Sequence, residues 1–142
     1  MSPFRSRAQS WCLVNEQMKQ LVATQQCFVA TVRPDGVPSI SPKRSTRVLD
    51  DQTLIFTEAT GRGVYNNLKR HPKVAIAVVN REALEGFRFV GIATVHESGQ
   101  IFEQVVAASQ QAGRPRPKAA VTVEIEEIYD LKPGPTAGTR ID

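Results

Sequence analysis

The chain has 142 residues, 41% apolar and 23% charged, which are ordinary proportions for one soluble globular domain with a buried core. Its net charge is +4, but only 6% of its residues are aromatic and it carries no recognised nucleic-acid motif, which argues against a nucleic-acid partner. No apolar run approaches the roughly 18–20 residues of a membrane-spanning helix, and the polar start Met1–Ser10, with Arg5 and Arg7, lacks an export signal's apolar core, so a cytoplasmic protein is expected.

In chain order, Asn15 to Thr24 places Met18, Leu21 and Val22 at helical offsets and predicts a short amphipathic helix. Cys27–Val32 is β-rich, and Arg33-Pro-Asp-Gly36 is a tight turn. Pro38 to Val48 supplies the return strand or strands, bent around Pro42. A turn at Leu49–Gln52 leads to a compact strand, Thr53–Thr57.

Gly61 to Arg70 breaks the β pattern. Val64 and Leu68 share a helical face, Lys69, Arg70 and His71 sit at the end where cations complement the helix dipole, and Pro72 stops the helix. Val74–Val79 is nearly continuous apolar sequence, which predicts a strand buried on both sides. Phe87–His96 is the longest strand candidate, and Gly91 within it marks a bulge or a close backbone approach.

Ile101 to Ala112 has helical spacing and is closed by Gly113. Arg114-Pro-Arg-Pro117 reads as an extended basic linker. Ala120–Tyr129 alternates Val121, Val123 and Ile125 with Thr122, Glu124 and Glu126, the pattern of a half-exposed strand. One domain over 1–142 is expected, with 1–14 and 132–142 as flexible or surface tails.

Two segments could carry chemistry. In Gly36-Val-Pro-Ser-Ile-Ser-Pro-Lys43 the hydroxyls of Ser39 and Ser41 share one face of a strand and Lys43 adds a cation. In Ile55 to Leu68 a strand ends at Phe56-Thr57, and Thr60-Gly-Arg-Gly63 turns into a helix. Free amides at a helix start favour anions, glycines admit a phosphate closely, and Arg62 can grip it with a planar fork. Each segment also reads as an ordinary surface strand or loop.

Further cations group as Lys43, Arg44 and Arg47, and as Arg114, Arg116 and Lys118. His71 and His96 form no catalytic set, and neither pairs with Cys12 or Cys27 at metal-ligand spacing, so no metal site is expected and the catalytic residues are unassigned.

Taken together and in order, Gly36-Val-Pro38, Ser41-Pro-Lys43, Asp50-Asp51, Phe56-Thr57, Asn67-Leu68, Pro72 and Phe89-Val-Gly-Ile-Ala93 resemble the FMN-binding split barrels related to pyridoxamine 5′-phosphate oxidase. The resemblance implies a mainly β (α+β) fold, a six- to seven-stranded antiparallel split β-barrel with two or three flanking helices. It implies an FMN-binding flavoprotein acting as a small-molecule oxidoreductase with a reduced nicotinamide or another small reductant as donor, and a homodimer with cofactor at the subunit interface. Ser41, Pro42 and Lys43 would line the flavin ring and ribityl chain. Phe56, Thr57, Thr60, Gly61, Arg62, Gly63 and Asn67 would lie around the phosphate end.

Where many relatives begin this helix with a cation and a hydroxyl, this chain has Gly63 and Val64. The alternatives are a deazaflavin-dependent reductase and a non-catalytic flavin-binding or stress protein.

Overall fold

The computed structural model describes residues 13–142. Arg5, Arg7 and Cys12, with most of the expected N-terminal tail, lie outside the described residues. Helix α1 (Glu16–Thr24) starts where Asn15 accepts a hydrogen bond from the Met18 amide at 2.9 Å, and it buries the predicted stripe of Met18, Leu21 and Val22.

Strands β1 (Cys27–Val32), β2 (Pro38–Pro42), β3 (Arg47–Asp50) and β4 (Thr53–Glu58) follow, then helix α2 (Gly63–Arg70). Next come β5 (Lys73–Asn80), β6 (Glu85–His96), helix α3 (Gln100–Gln111), β7 (Ala119–Asp130) and the two-residue β8 (Thr139–Arg140). Every pairing is antiparallel, in the order β2-β1-β5-β6-β7-β4-β3, with β8 beside β7.

The edges of this sheet are β2 and β3, which are adjacent in sequence. Residues 43–46 join them, and a linker that short reaches at most roughly 18 Å. The sheet must therefore curl until its edges approach, which produces a barrel split between β2 and β3. Pro42 lacks the N–H that would prolong β2, and the turn beyond it is closed by Thr46, whose amide and hydroxyl both donate to the Lys43 carbonyl, at 3.1 and 2.7 Å. The return segment is thus two separate strands.

Val29, Leu54, Phe56, Ile76, Phe89, Val121 and Val123 fill the interior, and Val64 and Leu68 of α2 close one end. On the other side of β4 and β7, α3 packs Val105 against Ile55 and Ala120. Those two strands are therefore covered on both faces where α3 crosses them, at Ile55 and Ala120. Strand β5 is not, contrary to the sequence expectation. Val74, Ile76 and Val78 point inward, but Ala75 and Ala77 are half-buried and Val79 is 47% exposed.

Among the described residues no helix covers β5's outer side. Its sequence is continuously apolar because the outer face is itself apolar, continuing through Phe28, Val32 and Ile40, the last 69% exposed. Gly91 sits at a register shift between β6 and β7, where a Cβ would collide with the Glu124 carbonyl.

Candidate functional site

The Thr57 amide lies beyond the last β3–β4 pairing and instead donates to Ser45 Oγ at 2.8 Å. This bond holds the 43–46 turn against the end of β4. Beside it opens a cleft of about 370 Å³, lined by Arg44 and Ser45 from the turn, Thr57, Ala59 and Thr60 from the end of β4, Ser109 of α3, and Arg114 to Pro117. Members of both cation groups noted in the sequence, far apart in the chain, meet here.

Among the described residues three arginines and no carboxylate line this cleft. Among the described residues none of the three forms an ion pair. Arg116 stacks its guanidinium 5.3 Å from the Phe102 ring centre, which steadies its plane. A hollow of about 590 Å³ shares Arg44 and Ser45 but is otherwise walled by Thr46, Arg47 and the neutral end of α1. Another, of about 470 Å³, mixes Lys19 and Arg47 with Asp50 and Asp51. The Arg44–Arg116 cleft has the stronger charge bias.

Next to Thr60 is the start of α2. Arg62 is its N-cap residue but makes no side-chain cap, and the first turn holds no acidic residue. The leading amides therefore have no side-chain acceptor, the condition under which an anion is stabilised. A Cβ built on Gly63 would meet nothing within 4 Å, so the backbone is open to a ligand there. Gly61 has a φ of +73°, a conformation that favours glycine, and a Cβ there would come within 3.0 Å of the Lys118 side chain. The Lys118 stem thus packs the basic linker over the turn.

The remaining predicted residues are placed differently. Ser41 pairs with Val29 and shares its inward face, half-buried, while Pro42 is exposed opposite Phe28. Lys43 is only 16% exposed and its Nζ lies 3.0 Å from Glu58 Oε2, a carboxylate that is itself 3% exposed. Phe56 is fully buried and supports the site only through its neighbours. Asn67 is buried and donates to Thr31 Oγ1 at 3.0 Å, tying α2 to β1.

Sequence reasoning missed Ser45, Glu58 and Thr31. The available signals were single polar residues at the ends of apolar strands, a pattern that also marks an ordinary surface.

His71 is the exposed C-cap residue of α2, and His96 Nε2 lies 2.8 Å from Thr122 Oγ1. Burial pushes the Cys27 thiol up to about 11, partly offset by a hydrogen bond with Thr46, so it is not a ready nucleophile. Among the described residues no three His, Cys, Asp or Glu side chains gather to hold a metal, and no helix is long and apolar enough to cross a membrane.

Residues 14–132 match the sequence model of the pyridoxamine 5′-phosphate oxidase family. The chain belongs to this family. HupZ of Group A Streptococcus is 38% identical, with a TM-score of 0.81 over 89% of this chain and 100% of the other. An uncharacterised protein of Methanocaldococcus jannaschii is 31% identical over 90% of this chain and 87% of its own. An FMN-binding protein from Syntrophomonas wolfei shares the fold at 15% identity, with a TM-score of 0.68 over 90% of this chain and 88% of the other. The split barrel expected from the sequence is therefore the family fold.

Proposed function

We propose that this member of the pyridoxamine 5′-phosphate oxidase family is an FMN-binding flavoprotein and a small-molecule oxidoreductase with a nicotinamide donor. The observation that carries this reading is the α2 start. It combines uncapped amides, an open Gly63 and an exposed Arg62, with Thr60 two residues before that arginine in the same turn. A flavin phosphate needs such a cradle, and these residues fit one. Bound FMN would supply the two-electron chemistry, leaving orientation and electrostatics to the protein.

Thr57, Thr60, Gly61, Arg62 and Gly63 would hold the phosphate, and Ser41, Pro42 and Lys43 would line the ring. Glu58 would fix Lys43 in position. The apolar outer face of β2, β1 and β5 would join two subunits, consistent with its exposed Phe28, Val32 and Ile40.

The test is titration of FMN into the purified protein, followed by flavin fluorescence and by thermal melting. Quenching and a raised melting temperature are expected, with Arg62→Ala weakening binding about tenfold, as loss of one charge-assisted phosphate contact should. A colourless protein that neither quenches FMN nor is stabilised by it would sink the proposal.

A further inference from the structure

We propose that the cleft formed by Arg44, Arg114 and Arg116 recognises the 2′-phosphorylated adenosine end of a nicotinamide dinucleotide, so that the electron donor is the phosphorylated dinucleotide. The inference rests on the oxidoreductase reading above and names the donor class for that site. Its first support is charge. A phosphate monoester carries about −1.5 to −2 at neutral pH, against −1 for a diester. Three guanidiniums with no lining carboxylate match the dianion. The flavin's own phosphate does not require them, since Arg62 and the α2 amides serve it.

Arginine suits this task because its fork meets two phosphate oxygens at once, and arginines near a ribose can accommodate a 2′-phosphate. The second support is the cleft's apolar lining. Ala59, Pro115 and Pro117 lie among the arginines, and a purine base can rest on such faces and on guanidinium planes. Arg116, steadied on Phe102, offers one such plane. The third is size, because about 370 Å³ lies within the range of small-molecule clefts, enough for a base and a phosphate. The fourth is continuity, since Thr57 and Thr60 belong both to this cleft and to the proposed flavin phosphate site.

The test is isothermal titration of adenosine 2′,5′-bisphosphate, adenosine 5′-monophosphate and inorganic phosphate, with FMN titrated in parallel. The bisphosphate is expected to bind at least tenfold more tightly than either of the others. Arg44→Ala with Arg114→Ala should remove at least tenfold of that affinity while FMN affinity and melting temperature stay unchanged. Both residues are exposed and form no ion pair among the described residues, so the fold should survive. Arg116→Lys, which keeps the charge and loses the fork, should reduce the preference for bisphosphate over monophosphate.

Equal affinity for the two nucleotides, no bisphosphate binding, phosphate competing as well as bisphosphate, or undiminished binding by the double variant would each overturn the proposal. FMN binding without a bisphosphate preference sinks the donor assignment alone. A bisphosphate preference without FMN binding sinks the cofactor assignment instead.

Discussion

Lys43 and Glu58 join the end of β2 to the end of β4 through a 3.0 Å contact in which the carboxylate is 3% exposed. Lys43 also lies 5.9 Å from the centre of the Phe56 ring, so the ammonium is held between a buried charge and an aromatic face. The pair bridges strands near the split of the barrel, where no ladder of backbone hydrogen bonds connects the sheet's edges. Removing one partner leaves the other charge buried without compensation, typically at a cost of about 3–5 kcal/mol. Lys43→Met is therefore expected to destabilise the protein by about 3 kcal/mol at pH 7 in urea unfolding. A deficit of under 1 kcal/mol would show that the pair is dispensable.

Gly91 permits the close approach of β6 and β7 at their register shift, because any Cβ there meets the Glu124 carbonyl. Gly91→Ala is expected to cost at least about 3 kcal/mol or prevent soluble expression, since the obstacle is backbone in a central strand pair. Gly63→Ala is the matched control. Its Cβ enters open space at a helix start, and a change of less than about 1 kcal/mol is expected. Comparable losses in both variants would mean that the close approach is not what fixes Gly91.

Most of the fold was legible in the sequence because its signals are local. The stripe of Met18, Leu21 and Val22, the turn at Arg33–Gly36 and the alternation of Val121, Val123 and Ile125 each report their own surroundings. Burial of β5 was misread because continuous apolar sequence does not say what covers a strand. A covering helix and an exposed apolar face leave the same pattern.

The site was only half legible. Thr57 and Thr60 line the cleft beside the arginines, whereas Lys43 and Asn67 are engaged by Glu58 and Thr31. Those partners are 15 and 36 positions away, and no local period encodes such pairings. The meeting of Arg44 with Arg114 and Arg116 is likewise a product of strand order.

Asn67 and Thr31 form the buried tie between α2 and β1. Asn67→Ala should cost about 1–3 kcal/mol, because the Thr31 hydroxyl loses its partner in a closed environment. Thr31→Val in the Asn67→Ala background should add little. A double-mutant cycle with a coupling energy near zero would show that the bond contributes nothing to holding α2 in place.

Ile40 is the most exposed large apolar residue of the outer face, and its β1 neighbour across the ladder is Ala30. If that face joins two copies, a charge placed on it must be desolvated on association. Ile40→Glu is expected to convert a dimer to a monomer in sedimentation velocity at micromolar concentration, with an unchanged circular dichroism spectrum. A monomeric parent protein, or a variant that remains dimeric, would move the interface elsewhere.

His96 sets a pH dependence of stability. Its half-buried ring lies 2.8 Å from Thr122 Oγ1, and burial lowers its pKa from the ordinary 6.5. In the unfolded chain the residue takes up a proton near 6.5, while in the folded protein it does so only at lower pH. Between those values the unfolded state binds more protons, so stability rises with pH. The contribution is fully present above about 6.5 and is lost as pH falls towards the folded value. The melting temperature should therefore decline between pH 7.5 and 5. His96→Gln, which keeps a polar group beside Thr122 but cannot titrate, should flatten that decline. An identical pH profile in the variant would assign the dependence to other groups.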